Sequence, residues 1–376
     1  MTTPKPRKIR FAAVGDLLLT AKPCGAGPGR GLEALSDGVL KLFASCDIVF
    51  ANLECTLAGC ETVPTEPRVV STEKQIQSLR NAGIDVVTLG NNHTFDCLDE
   101  GFHRLSGVLT DLGIPWCGAG LNIAEAFLPA IVEAHGVTLA FLGVVDKSSG
   151  PLRFAGESTS GVAPLDTGRV CSIIKDLRYK VDHVIVSPHW GEERFRVPSL
   201  EQIKQARAFV DAGASMVLGH HPHVLQGMEL YHRAPIAYSL GNFIANNVYW
   251  TDGNYLTWSR FERTGCVLVA ELDSNGIQGV QQIPIFDDGE TVCIEKSGWG
   301  YRCLCKVNRF LARGVTPKRY RREEFRIHTI KPILSHLRWS ELRRTRPKHI
   351  RKAMQLLLQK GKKCETSINK QITYNL

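Results

Sequence analysis

The first ten residues of the sequence lack an extended apolar run. Residues 1–10 are rich in Pro and Lys and run directly into the first strand-like segment. They contain neither the apolar stretch of a signal peptide nor the roughly 20 apolar residues that cross a bilayer. We therefore expect a cytoplasmic protein, with peripheral attachment to a membrane left open.

The twelve cysteines lack the spacing of a disulfide framework or of a structural zinc site. Only Cys303 and Cys305 are close in sequence, and no four-cysteine zinc pattern occurs. The expectation is a set of reduced thiols, as in cytoplasmic proteins.

Acidic residues are scarce near the C-terminus. The 376 residues have a formal net charge of +9, but residues 301–376 contain 21 Lys and Arg against 4 Glu, a net charge of +17, which leaves −8 for residues 1–300. This asymmetry predicts a core domain over residues 1–296 and a basic, mainly helical extension over residues 297–376, with basic helices at 331–342 and 348–359.

Two interpretations of the extension stay open. It could contact an anionic partner such as polyglutamate, a phospholipid surface or nucleic acid, or it could be a solvated extension that packs on the main domain. Nucleic acid is the least favoured partner because the segment has no recognisable RNA- or DNA-binding module.

The 43% hydrophobic fraction is ample for one large core. Short segments rich in Val and Ile alternate with segments of helical pattern, as in a largely parallel sheet whose strands are covered on both faces. The predicted strands cover residues 9–14, 47–51, 85–89, 184–187 and 215–218, followed by 236–239, 266–272 and 278–285. The predicted helices cover residues 31–44, 72–82, 98–112, 166–179 and 199–212. Residues 273–276, Asp-Ser-Asn-Gly, predict a hairpin turn.

Polar clusters follow the first five predicted strands. They are Gly15-Asp16, Asn52-Leu53-Glu54, Gly90-Asn91-Asn92-His93, His189-Trp190-Gly191-Glu192 and Gly219-His220-His221-Pro222-His223. Ligands collect outside the carboxyl ends of strands in open α/β sheets, so we expect these side chains to converge. Their carboxylate, amide and imidazole groups predict a site for a divalent manganese, iron or zinc ion.

With Asp96 and the segment Tyr238-Ser239-Leu240-Gly241-Asn242-Phe243, these clusters resemble the CapA-type proteins of poly-γ-glutamate capsule synthesis, within the calcineurin-like metallophosphoesterase superfamily. The resemblance spans roughly residues 8–284. It implies an α/β fold, a four-layer α/β/β/α sandwich with two facing sheets and helices outside.

The resemblance also implies the site residues. Asp16 is the first-strand ligand, Asn52 or Glu54 takes the second-strand position, and Asn92 is the third-strand ligand. His189, His221 and His223 complete the candidate ligands, while His93 and Asp96 are the candidate catalytic residues. The superfamily's first motif is usually Asp-x-His, whereas Leu17 and Leu18 follow Asp16, so one or two ions both remain open.

The spacing of His221 and His223 would direct both rings to one side if the backbone were extended. Three imidazoles in four residues are also hard to bury without a ligand. Taken singly, Asp16 could cap a turn and His189 could be a packed core residue. Asn91, His220 and Asn242 could be ligands or supports, and Glu192 and Glu193 could bind an amine, orient His189 or face water.

Three function classes follow. The leading one is a metal-dependent hydrolase or transferase that uses a metal-activated water on a γ-glutamyl amide or a phosphoester, with His93 protonating the leaving group. The second is a non-catalytic capsule-assembly component that binds an acidic polymer or a membrane surface. The third, nucleic-acid binding, is least favoured.

Overall fold

The computed structural model describes residues 8–21, 29–150 and 152–330. The chain divides into two compact units, residues 1–317 and residues 318–376. The predicted helices at 331–342 and 348–359 lie outside the described residues.

The strands are β1 Lys8–Leu18, β2 Ile48–Leu53, β3 Thr56–Leu57, β4 Val70–Ser71, β5 Val86–Thr88, β6 Trp116–Cys117, β7 Ala119–Gly120, β8 Ala130–Ala134, β9 Val137–Val145, β10 Gly161–Val162, β11 His183–His189, β12 Met216–Leu218, β13 Met228–Tyr231, β14 Ala234–Ala237, β15 Asn242–Ala245, β16 Val248–Tyr249, β17 Tyr255–Leu256, β18 Thr264–Asp273, β19 Gly276–Asp287 and β20 Val292–Ile294. The α-helices are α1 Asp37–Ala44, α2 Glu73–Ala82, α3 Leu98–Asp111, α4 Ile123–Ala126, α5 Thr167–Leu177, α6 Leu200–Ala212, α7 Trp299–Ala312 and α8 Pro317–Phe325. Short 3-10 helices cover Leu32–Ala34 and Lys147–Ser149, and a π-helix covers Arg326–Ile330.

Two sheets form the body of the first unit. The first has the strand order β20-β19-β18-β1-β2-β5-β6, with β15 also pairing with β1. Its β1, β2, β5 and β6 run parallel, whereas β18 pairs antiparallel with β1. The second has the order β13-β14-β12-β11-β9-β8, with β9, β11, β12 and β14 parallel.

The alternation of side chains along β1 defines the layers. Ile9, Phe11 and Ala13 belong to a buried cluster that also contains residues of β9, β11 and β12, so this face of the first sheet meets the second sheet. Ala12 and Val14 face the other way and pack with residues of α1, α2 and α3. A period of two residues along a strand produces this division.

The second sheet repeats the arrangement. Leu139 and Phe141 of β9 face the first sheet, while Ala140 and Leu142 join a cluster with residues of α5 and α6. The order of layers is therefore helix, sheet, sheet, helix, and the predicted four-layer fold is confirmed.

Capping residues begin the predicted helices at the expected positions. Thr72 and Ser199 each form a capping box with the Gln three residues later, at the start of α2 and α6. Asp166 accepts a hydrogen bond from the backbone of Arg169 at the start of α5. The prediction of one helix over residues 31–44 was wrong in part, because a 3-10 turn precedes α1 and Ser36 separates the two with extended backbone.

The hairpin over residues 273–276 joins β18 to β19 as predicted. Strands β8 and β9 were not predicted, although β9 lies inside the second sheet. A segment buried on both faces has an apolar run without alternation, which gives a weaker strand signal.

Helix α7 belongs to the first compact unit, beyond the predicted domain boundary at residue 296. Leu304 and Val307 join the cluster between the sheets, and Leu311 joins the outer cluster of the second sheet. In the second unit the described residues are helical, and Arg326 donates a hydrogen bond to Glu323. A separate role for residues 297–376 stays a prediction.

All ten cysteines in the described ranges are free thiols. Over the same ranges, no helix combines the length and apolar character needed to span a bilayer.

Candidate metal centre

The polar clusters meet where both sheets present the carboxyl ends of their parallel strands. Asp16 pairs in register with Asn52 of β2 and with Asn242 of β15. His189 is the last residue of β11 and forms a bridge with His220, which follows β12. The two sheets thus bring residues about 200 positions apart in sequence into one buried site.

Asp16 is fully buried and is surrounded by donors. Its Oδ1 atom accepts a hydrogen bond from Asn52 Nδ2 at 2.8 Å and lies 3.1 Å from His220 Nδ1. Its Oδ2 atom lies 3.4 Å from His223 Nδ1. Burial favours the neutral acid, but the bonds to His220 and His223 outweigh this effect and hold the pKa of Asp16 well below its usual range.

Glu54 is fully buried, and neither of its carboxylate oxygens has a hydrogen-bond partner among the described residues. Its Oε1 atom lies 3.5 Å from His189 Nε2 and 3.7 Å from His223 Nε2. Burial raises the pKa of Glu54 to about 8. An unpartnered buried carboxylate is costly, and a cation beside it would remove that cost.

His189 lies between two amides. Its Nε2 atom is 2.7 Å from Asn92 Oδ1, and its Nδ1 atom is 3.3 Å from Asn52 Nδ2. Burial holds the pKa of His189 well below its usual range, which keeps the imidazole neutral and able to bind a metal.

The backbone that carries His221 and His223 is not extended. Their φ angles are 92° and 56°, in the left-handed region, so the expected reason for their convergence was wrong. A turn after β12 brings the two rings to a centroid separation of 5.7 Å, with the His189 ring 4.8 Å from that of His221. Left-handed backbone at non-glycine residues is uncommon and is concentrated at functional sites.

The two rings differ in charge. Burial lowers the pKa of His221 to about 4, and its Nδ1 atom has no hydrogen-bond partner among the described residues. Burial would also lower the pKa of His223, but Glu54 and Asp16 outweigh it and raise the pKa to about 10. The positive charge of His223 therefore offsets part of the negative charge of Glu54 and Asp16.

Two groups of side chains have ligand atoms close enough to hold an ion. One is Glu54, His189 and His221, and the other is Asp16, Glu54 and His223. Within each group the ligand atoms lie within 4.8 Å of one another. Glu54 is common to both, and the buried atoms of Glu54 and His221 that have no hydrogen-bond partner among the described residues would suit a bound cation. The mixed carboxylate and imidazole set fits a divalent transition metal.

His93 and Asp96 form a pair beside this centre. Asp96 Oδ2 is 2.7 Å from His93 Nδ1 and also accepts a hydrogen bond from the backbone of Val69 at 2.8 Å. Burial favours neutral His93, but the charge of Asp96 and its hydrogen bond outweigh this effect and raise the pKa of His93. The pair therefore favours the protonated form of the His93 imidazole, next to the candidate ligands.

Asn91 and Asn242 support the candidate ligands. Asn91 Nδ2 donates to Asn52 Oδ1 at 3.2 Å and to the Leu53 carbonyl at 2.9 Å, which ties the loop after β5 to β2. Asn242 Oδ1 is 2.9 Å from His223 Nδ1, and its Nδ2 donates to the Glu262 carbonyl at 3.0 Å.

Two further residues lie beside the centre, and of these only Glu193 was singled out from the sequence. Trp258 lies in no polar cluster, yet its ring is 5.2 Å from that of His223. Glu193 is exposed, and the charges of His223 and His221 lower its pKa although partial burial opposes them. No hydrogen bond or ion pair to Glu193 occurs among the described residues.

The sequence profile of the bacterial capsule synthesis protein family PGA_cap matches residues 10–247. The chain is 29% identical over 276 residues to the PGA biosynthesis protein CapA of Bacillus subtilis (strain 168), covering 72% of this chain and 70% of that relative. It is 34% identical over 245 residues to the capsule biosynthesis protein CapA of Bacillus anthracis, covering 63% of this chain and 60% of that relative.

Among solved structures, the NAD nucleotidase of Haemophilus influenzae aligns with a TM-score of 0.47 and 14% identity, over 86% of this chain and 61% of that chain.

Proposed function

Since the chain belongs to the PGA_cap family of bacterial capsule synthesis proteins, we propose that it acts on a poly-γ-glutamate-type polymer as a metal-dependent hydrolase or transferase. The single observation that supports catalysis best is Glu54, a fully buried carboxylate beside three imidazoles whose two oxygens have no hydrogen-bond partner among the described residues.

Glu54, His189 and His221 would hold one ion, and Asp16, Glu54 and His223 a second. Asn92 would join the first group, because its Oδ1 atom lies 2.7 Å from His189 Nε2. A divalent ion held there supplies Lewis-acid chemistry, lowering the pKa of a water molecule and polarising the bond to be cleaved.

The protein's own groups supply the rest. Asn52 and Asn91 fix the position of His189 relative to β2, and Asn242 fixes that of His223. His93, whose protonated form Asp96 favours, would donate a proton to the leaving amine or alkoxide. The exposed Glu193 would favour a substrate that carries a positive amine over a dianionic phosphate.

The test combines metal analysis with two probes, γ-glutamyl-p-nitroanilide for the amide reaction and bis(p-nitrophenyl) phosphate for the phosphoester reaction. We expect the purified protein to contain a transition metal, to lose it to a chelator, and to hydrolyse one probe only when metal is present. His93→Ala should lower kcat by about 100-fold or more, the scale of general acid catalysis, with metal content unchanged.

His103, exposed on α3 ten residues from His93, provides the matched control, and His103→Ala should leave kcat unchanged. Equal metal loss in His93→Ala and His221→Ala would make His93 a ligand instead of an acid. Stable metal binding without turnover of either probe would favour the non-catalytic assembly component.

A further inference from the structure

Helix α7 carries a row of basic side chains that face solvent. Arg302, Lys306 and Arg309 are all exposed, and their spacing of four and three residues places them on one face of the helix. Leu304, Val307 and Leu311 occupy the opposite face and are buried against the body of the domain. The row is therefore held rigidly, and it spans about 10 Å at 1.5 Å per residue.

No acidic residue occurs in α7 to balance these charges. Among the described residues none of the three basic side chains forms an ion pair or a side-chain hydrogen bond with a carboxylate. The nearby Glu295 is already engaged, because it accepts hydrogen bonds from the backbone of Trp299 and Gly300. Like charges at these spacings destabilise a helix slightly, so folding alone gives no reason for the row.

A further arginine extends the row at the start of α7. The guanidinium of Arg260 lies 4.6 Å from the centre of the Trp299 ring. The Phe261 and Trp299 rings are in turn 5.0 Å apart. Stacking on aromatic rings holds a guanidinium in place while its N–H edges remain able to bind carboxylates.

This surface is continuous with the candidate metal centre. The loop between β11 and α6 contains Arg194, whose backbone N–H donates a hydrogen bond to the Pro222 carbonyl at 2.7 Å and so ties this loop to the turn that carries His221 and His223. Val224, which follows His223, shares a narrow cleft with Arg196 and Lys306. A chain bound along the basic row would thus reach the edge of the centre.

We propose that Arg260, Arg302, Lys306 and Arg309 form a binding track for a linear polycarboxylate, which leads one end of the polymer to the metal centre. A row of charges along one helix matches an extended polyanion better than a flat membrane surface. The inference rests on the proposed function for the choice of a polycarboxylate, but binding to the track requires neither metal nor turnover.

The experiment measures binding of fluorescein-labelled poly-γ-glutamate to the full-length protein by anisotropy, in the presence of a chelator. The track variant carries Arg302→Gln, Lys306→Gln and Arg309→Gln. The matched control carries Lys41→Gln, Lys74→Gln and Arg80→Gln, three exposed residues of α1 and α2 with the same total charge change. Both variants should unfold at the wild-type urea midpoint.

We expect the track variant to raise the Kd for the polymer about tenfold or more at 0.1 M salt, and the control to change it less than about twofold. Wild-type binding should weaken strongly toward 1 M salt, where the Debye length falls to about 3 Å. Phosphatidylglycerol vesicles, tested in parallel, should bind the wild type and the track variant equally.

Equal weakening in the track and control variants would overturn the proposal, since net charge alone would then explain binding. Unchanged polymer binding in the track variant would also overturn it. Loss of vesicle binding with retention of polymer binding would identify the surface as a membrane contact instead. Because the binding assay contains chelator, it does not depend on hydrolase activity, and a failure to detect hydrolysis would leave the binding result unaffected. Likewise, failure of the track variant to weaken polymer binding would not contradict the proposed hydrolase activity.

Discussion

Gly15 offers a way to perturb the metal centre without changing any candidate ligand. A Cβ atom added at this position would lie 1.8 Å from the carbonyl oxygen of Gly241, a backbone atom that cannot rotate away. The strand β1 and the turn before β15 approach each other this closely because Asp16 N donates a hydrogen bond to the same carbonyl at 3.0 Å.

The required displacement can be estimated from this contact. Separation to an ordinary van der Waals distance needs a shift of about 1.5 Å, because carbon and oxygen atoms rarely approach closer than about 3.4 Å. Asn242, next to Gly241, holds His223 through a 2.9 Å contact, so the shift would be passed to a candidate ligand. Metal ligation tolerates only about 0.2 Å in each ligand distance.

We therefore expect Gly15→Ala to weaken metal binding about 10- to 100-fold, the effect typical of disturbed ligand supports. It should also lower the free energy of unfolding by about 1–3 kcal/mol or more, as overpacking does. Isothermal titration with Mn²⁺ and urea unfolding in chelator measure the two effects separately.

Gly107 provides the control, since it lies in α3 and a Cβ atom added there would have no atom within 4 Å apart from its chain neighbours and the backbone of its own helix. Gly107→Ala should raise the free energy of unfolding by about 0.5–1 kcal/mol through its helix propensity and leave metal affinity unchanged. If Gly15→Ala binds Mn²⁺ as tightly as the wild type, the junction of β1 and β15 does not position the centre and this reasoning fails.

Three other substitutions test separate parts of the structure. Glu54→Gln should abolish or reduce the binding of both ions together, because both candidate groups contain Glu54; metal analysis that shows loss of only one ion would contradict its shared position. Leu304→Ala should lower the free energy of unfolding of the core by about 2–4 kcal/mol, the cost of a buried cavity. Its control, Tyr301→Ala on the exposed side of α7, should have little effect. Equal unfolding midpoints for the two variants would show that α7 does not contribute to the stability of the core. Glu229→Gln should destabilise the protein by about 1 kcal/mol at pH 7, because Glu229 loses its paired bond with Arg207. Partial burial opposes the shift, but the bonds to Arg207 and Tyr238 lower the pKa of Glu229, so its contribution is present above the unfolded-state value of about 4.3 and is lost as the pH falls through the lower folded-state value. The difference between wild type and Glu229→Gln should therefore shrink in urea titrations at acid pH, and a constant difference would contradict the assignment.

The sequence predicted helices best where a capping residue marks the first turn. Thr72, Asp166 and Ser199 cap helices at the positions where their residue types indicate a start. The predicted helix over residues 31–44 failed in part because apolar spacing continued through Ser36, whose extended backbone separates the 3-10 turn from α1.

Counting the charges of residues 301–376 together did not predict that α7 packs on the core. The basic residues after position 300 suggested a separate extension, yet Leu304, Val307 and Leu311 recur at helical spacing and pack on the core. A helix with one basic face and one apolar face has a high net positive charge, as a solvated extension does, yet it can pack on a core through its apolar face. The spacing of its apolar residues, and not its net charge, therefore predicts whether it packs.

For the candidate site, the sequence predicted which residues come together but not the backbone conformation of every segment that carries them. Strand-end positions predicted that Asp16, Asn92 and His189 would approach one another, because parallel strands end at a common edge. Nothing in the spacing of His221 and His223 predicted their left-handed backbone, which depends on contacts from β1 and β15. Asp16 Oδ2 accepts a hydrogen bond from His221 N at 3.3 Å, so a candidate ligand itself holds the turn that carries two others. The turn and the centre are thus mutually dependent, and sequence reasoning confined to one segment could identify the residues but not the conformation that brings them together.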